Sequence, residues 1–253
     1  MKIIKDILDI DKKTFKQVFL YGVCFFILFY AVAKIFSFVF QKINVKLISI
    51  TGTADLTTLA EEQLIPALSS AKSVIFLIFA VSFLFLILEI YNYSFFENLM
   101  WNTIFKKKTT WKNTNKFLGL NIILTAIFLL VIALIFLLIS KLPGNLIKFG
   151  AMMFYLVILF AFYLLFVGYI SFGKTHEIFK SVKNAFVIGV KHLDLTIIPL
   201  LIATIISIII NLVFSLFTWL PDAILLSLQA VIFAAYLAWF RIYLSNALKS
   251  VKF

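Results

Sequence analysis

Six long apolar stretches, at about 18–40, 73–93, 117–140, 146–170, 195–218 and 222–245, constrain this chain more than any other feature. About 20 predominantly apolar residues make a helix that crosses the roughly 30 Å hydrocarbon core of a bilayer. In hydrocarbon each backbone polar group needs a partner within its own segment, which a helix supplies. The stretches therefore predict an all-α, polytopic membrane bundle of six transmembrane helices, arranged as three hairpins with interfacial amphipathic helices. With 64% hydrophobic and 13% charged residues, the composition lies outside the soluble globular range. No linker is long enough for a soluble domain, so residues 1–253 are expected to form a single integral membrane domain.

The net charge of +12 would suggest nucleic acid in a soluble protein, but its placement gives a different explanation. Seventeen of the 23 basic residues fall at Lys2–Lys16, Lys106–Lys116, Lys174–Lys191 and Arg241–Lys252, all on one side of the expected bundle. Five (Lys42, Lys46, Lys72, Lys141 and Lys148) fall on the other, and Lys34 lies within the first span. The positive-inside rule then puts both termini in the cytoplasm. The excess also attracts anionic lipid headgroups of the inner leaflet. No nucleic-acid partner is expected. The first apolar run is too long for a cleaved signal peptide and lacks a small-residue cleavage site, so it reads as a retained span. The single cysteine, Cys24, excludes an intrachain disulfide and offers no metal spacing.

The outer linkers contain Leu64-Ile65-Pro66, Lys141-Leu142-Pro143 and Trp219-Leu220-Pro221, with prolines spaced nearly evenly. A parallel repeat of two-span units would produce this pattern, and so would proline at the turns of any chain of helical hairpins. Between 175 and 193, Ile178, Val182, Phe186, Gly189 and Leu193 follow a near-helical period beside Lys180, Lys183 and Lys191, which predicts a helix lying in the headgroup plane. The stretch from Phe95 to Phe105 is either a similar segment or a continuation of the second span. In the long outer linker 41–72, Asp55 is placed to cap a short helix through Leu56, Leu59 and Leu64 that ends near Pro66.

Polar residues within the spans supply the candidate site. Thr204, Ser207, Asn211, Ser215 and Thr218 share one face of the fifth span, and Ala223, Ser227, Ala230, Ala234, Ala238, Arg241 and Ser245 share a small-residue face of the sixth. Such stripes let backbones approach closely. Lys34, Asn211 and Gln229 lie at similar outer depth, and with Ser207 and Thr204 they would line an outer-half cavity suited to an anion. Lys34 snorkelling to the outer interface is the alternative. Glu89 and Arg241, at matching inner depth, are expected to form an ion pair. His176 and His192 sit near Glu177 and Asp194 but lack the i, i+4 spacing of a helical zinc site. They read as solvated interfacial residues. No catalytic residue, metal site or cofactor is expected, because the sequence contains no phosphate loop, nucleophile elbow or paired intramembrane aspartates.

Three hairpins with basic inner segments (Lys12-Lys13-Thr14-Phe15 and Lys107 to Lys112) and apolar-proline outer turns resemble the six-span membrane domains of prokaryotes. The layout is similar to the membrane domain of glycerophosphodiester phosphodiesterases. The resemblance covers Lys12 to Ser245 as architecture and implies a membrane fold without the phosphodiesterase catalytic domain. No functional residue carries over. Two readings follow: a non-enzymatic module in a prokaryotic plasma membrane that binds or moves an anionic lipid or small solute, or a membrane scaffold that holds a protein partner or a second copy of itself.

Overall fold

The computed structural model describes residues 11–51, 61–141, 143, 147–217, 219, 221–249 and 251. Lys2, Lys5, Asp55, Leu56, Leu59 and Thr218 lie outside them. Seven helices occupy the described residues: α1 (Lys12–Thr51), α2 (Glu61–Ile104), α3 (Trp111–Ile139), α4 (Ile147–Thr175), α5 (Ile178–Lys191), α6 (Leu193–Ser215) and α7 (Asp222–Ala247). Among the described residues there is no strand.

Four helical runs are long and apolar enough to cross a membrane: Lys12–Val45, Lys72–Ile104, Trp111–Ile139 and Ile224–Ala247. Phe160–Thr175 and Thr204–Ser215 are shorter apolar runs. Large side chains such as Phe76, Phe79, Leu138 and Leu212 are exposed along these helices. Apolar surface on this scale marks contact with lipid or another protein.

The first two helices are longer than their apolar stretches. At 1.5 Å per residue, α1 and α2 each reach about 60 Å, twice the hydrocarbon thickness. The linker expected from residue 41 is therefore helical as far as Thr51. Pro66 lies inside α2 instead of at a turn, which corrects the first of the three apolar-proline turns. Pro143 lies between α3 and α4, and Pro221 is the N-cap of α7. At the other end of α2, the stretch after Tyr93 continues the helix to Ile104 and is not a separate interfacial segment.

The chain divides into two compact units, which split α1 and α2 between them. Residues 25–93 form one unit, an antiparallel helix pair held by aromatic contacts such as Phe25–Tyr93 (centroids 5.9 Å apart) and Phe36–Phe85 (5.0 Å). The other unit contains residues 1–24 and 94–253. Its core is aromatic: Trp101, Phe117, Tyr163, Tyr169, Phe172 and Tyr243 are all at most 2% exposed. Here α4 packs on α3 and α5, α5 also on α3, and α6 on α7.

The helix expected in the headgroup plane is present as α5, but it folds back antiparallel along α4. The Tyr163 hydroxyl donates to the Gly189 carbonyl (2.8 Å), and the Asn184 amide donates to the Ser171 hydroxyl (2.9 Å). The buried face is Ser181, Ala185, Ile188 and Gly189, offset from the one read from sequence, while Phe179 is exposed. Gly189 permits the close approach, since a Cβ there would lie 2.5 Å from Leu164 Cδ2. The small-residue stripe of α7 is buried at Ala234, Ala238, Arg241 and Ser245. A Cβ on Gly22 of α1 would meet that of Ala234 at 3.4 Å.

Candidate functional site

The C-terminal end of α2 and its partners gather most of the buried polar chemistry of the larger unit. Ser94, Glu97, Asn98 and Asn102 are all at most 1% exposed. Their 3–4 spacing places them on one face with Trp101. Glu97 binds the Arg241 guanidinium at two points: Nε donates to Oε2 (3.2 Å) and Nη2 to Oε1. The Trp101 indole N–H also donates to Oε2 (3.0 Å). A buried carboxylate is costly unless it is paired and hydrogen-bonded, and these three donors meet that requirement.

The pair differs from the expected one. Glu97, two turns beyond Glu89 on the same helix, takes Arg241. Glu89 accepts instead from the Asn92 side-chain amide at 3.4 Å. Depth matching within the apolar run points to Glu89, and the helix continuing past that run brings a second carboxylate to Arg241.

A chain of amides runs beside the ion pair. The Asn102 Nδ2 group donates to Asn98 Oδ1 (3.1 Å) and Thr109 Oγ1 (3.2 Å), and Asn98 Nδ2 donates to Thr114 Oγ1 (2.9 Å). The Thr114 hydroxyl in turn donates to the Thr110 carbonyl (3.3 Å). One turn back along α2, Ser94 Oγ accepts from Asn121 Nδ2 of α3 (2.7 Å).

Asn102, at the end of this chain, lines a polar cleft of about 420 Å³ together with Asp11, Lys13, Thr14, Gln17 and Tyr21 of α1 and its N-cap, and Thr103, Lys106 and Lys107 at the end of α2. Asp11 accepts from the Lys13 backbone N–H (3.1 Å) and the Thr14 hydroxyl (2.7 Å), which caps α1. These bonds, and Lys106 nearby, hold its carboxyl below the usual range. With three lysines and one carboxylate, the lining has a formal charge of +2.

Two of those lysines are committed locally. Lys106 has φ 54, a left-handed conformation usually given to glycine. It closes α2 in a Schellman motif, with Lys107 N–H on the Asn102 carbonyl (2.8 Å) and Lys106 N–H on that of Thr103 (3.2 Å). The Lys107 ammonium reaches the Lys174 carbonyl near the C-terminus of α4 (2.7 Å), where a helix end favours a cation. Burial pushes its pKa down. Lys116 Nζ similarly donates to the His176 carbonyl (3.4 Å). His176 also has a left-handed backbone (φ 56) and packs its ring edge-on against Phe172. It is partly buried.

The residues proposed for an outer site are in different surroundings. Lys34, in the 25–93 unit, is exposed, with its ammonium over the Tyr30 ring (5.4 Å). Asn211 is exposed and its amide donates to the Ser207 carbonyl one turn back (2.9 Å). Thr204, Ser207 and Gln229 are half-buried. None of these lines the cleft. Among the described residues, no group of three or more His, Cys, Asp or Glu side chains comes together as a metal site would require.

Asp11, Glu97, Asn98 and Asn102 are the functional candidates that sequence reasoning missed. Their signal was present: an aspartate immediately before a helix start, and Ser94, Asn98 and Asn102 at successive intervals of four. The chain matches no protein-family model, no curated protein and no solved structure, so its functional reading rests on these residues themselves.

Proposed function

We propose that the chain is a six-span, non-enzymatic protein of a prokaryotic plasma membrane, with both termini cytoplasmic, that binds an anionic ligand in the cleft at the basic end of its helices. The two further spans are α4 and α6, whose 29 and 23 residues give lengths of about 43 and 34 Å. The observation that carries the binding reading is the set Lys13, Lys106 and Lys107 around one cleft, with Lys106 held in a strained backbone. Strain of this kind is retained at ligand sites more often than elsewhere.

Native mass spectrometry of the solubilised protein tests this reading, with Lys13→Gln/Lys106→Gln and Lys34→Gln compared with wild type. An anionic lipid or solute should remain on wild type and Lys34→Gln and leave the double variant. Loss from Lys34→Gln alone would overturn the inner site in favour of the outer one.

A scaffold reading is favoured by one observation, the exposed polar residues of α6. Asn211 and Ser215 are exposed and bond to their own helix backbone. A second helix packed there would use them as a seam. Cysteine crosslinking at position 211 would report a second copy.

A further inference from the structure

We propose, as a deepening of the anion-binding reading and resting on it, that the cleft selects a phosphate that carries a neighbouring hydroxyl, with Asn102 as the residue that reads the hydroxyl. The direction of the amide chain leads to this. The Thr110 carbonyl can only accept, so the Thr114 hydroxyl spends its hydrogen there and receives Asn98 Nδ2 on its oxygen. Asn98 Oδ1 must then accept from Asn102 Nδ2, whose second hydrogen goes to Thr109. Both amide hydrogens of Asn102 are used, and its Oδ1 is buried without a hydrogen-bond partner.

A buried acceptor left unpaired is costly. This one belongs to a residue that lines the cleft and is 1% exposed. Lys13 and Lys106, which line the same cleft, supply donors for phosphate oxygens, while Asn102 Oδ1 is left to take a donor from the ligand. A phosphodiester group alone has no hydrogen to offer it, whereas a phosphate ester with an adjacent hydroxyl fills both demands. A lipid headgroup and a free sugar phosphate share this chemistry.

The test uses the full chain in phosphatidylcholine nanodiscs, with phosphatidylglycerol compared with phosphatidylethanol. The two have the same charge, and phosphatidylethanol lacks the hydroxyls. Wild type should bind phosphatidylglycerol about fivefold more tightly, the range of one neutral hydrogen bond. Asn102→Ala should abolish that preference while phosphatidylethanol binding stays unchanged. The wild-type comparison decides even if that variant fails to fold. Equal affinity for the two lipids would overturn the hydroxyl assignment and leave the anion site standing. If neither lipid binds in preference to phosphatidylcholine, and glucose 6-phosphate does not bind either, the anion reading falls as well. Displacement of phosphatidylglycerol by glucose 6-phosphate would identify a soluble ligand, and resistance to displacement would identify the lipid. Both results support the proposed chemistry.

Discussion

Arg241 of α7 grips Glu97 of α2 through two nitrogens, and Trp101 takes a third position on the same carboxylate. This contact joins two helices that are 144 residues apart in sequence, inside a core where either charge alone would be uncompensated.

Removing one member of the pair should therefore cost far more than removing both. Glu97→Gln or Arg241→Gln alone should lower stability by about 3–5 kcal/mol, the usual loss when a buried partner is left charged and alone. The double variant should lose much less than the sum. Glu89→Gln serves as the contrast, because Glu89 binds only a side-chain amide among the described residues, and its loss should stay near 1 kcal/mol. Unfolding of the four proteins in mixed detergent micelles reads all these values. Additive losses at 97 and 241 would refute the coupling.

The lengths of the apolar runs carried the all-α class and the positions of the apolar helices, because a bilayer imposes the same length rule on every span. They could not reveal where helices continue beyond the hydrocarbon, since polar residues can extend a helix as readily as end it. A search for the partner of Arg241 confined to the apolar run up to Tyr93 finds Glu89 and passes over Glu97, although continuation of the span is one of the two readings of 95–105. Asn98 and Asn102 are passed over in the same way, because their partners Thr114 and Thr109 lie across a turn that the sequence does not place. For 175–193 the helix is where the period puts it, and its buried face is covered by α4 and α3. A 3.6-residue pattern identifies an amphipathic face, but it does not say whether lipid headgroups or another helix covers it. The glycines Gly168 and Gly189 made packing against α4 the better choice.

Gly189 tests that packing. A methyl group there would meet Leu164 Cδ2 at 2.5 Å, and Leu164 is itself buried. Overpacking of a tight contact costs about 1–3 kcal/mol, so Gly189→Ala should destabilise the protein by that amount. Gly189→Leu should detach α5 and expose its backbone amides. Hydrogen exchange along 178–191 would report the detachment. Unchanged protection in Gly189→Leu would mean that α5 does not depend on this seat.

His176 should give the protein a dependence on mild acid. Burial, then the neighbouring Lys107 and Lys116 charges, hold its pKa below the ordinary 6.5. The folded chain therefore resists a proton that the unfolded chain accepts once pH falls below about 6.5. The stability it contributes is complete above that pH and is lost as pH falls towards the depressed folded value. Melting temperatures measured from pH 8 to pH 5 should fall in wild type and fall less in His176→Asn, because asparagine tolerates the left-handed backbone at this position. Parallel curves for the two proteins would remove His176 as the source.

Lys106 sets stability against binding. Its left-handed backbone costs about 1–2 kcal/mol for a residue with a Cβ, and glycine at the same helix end carries no such penalty. Lys106→Gly should therefore stabilise the protein by about 1 kcal/mol while removing one of the three ammoniums that line the cleft. Lys106→Gln keeps the strain and loses the charge, so it should weaken anion binding to the same extent without the gain in stability. A cleft kept only for packing would permit the stabilising glycine at no functional cost. A site that uses the ammonium would show a higher melting temperature and weaker anion binding in the same variant. Thermal unfolding and anionic-lipid binding measured side by side on Lys106→Gly, Lys106→Gln and wild type separate these outcomes, and undiminished binding in both variants would remove Lys106 from the site.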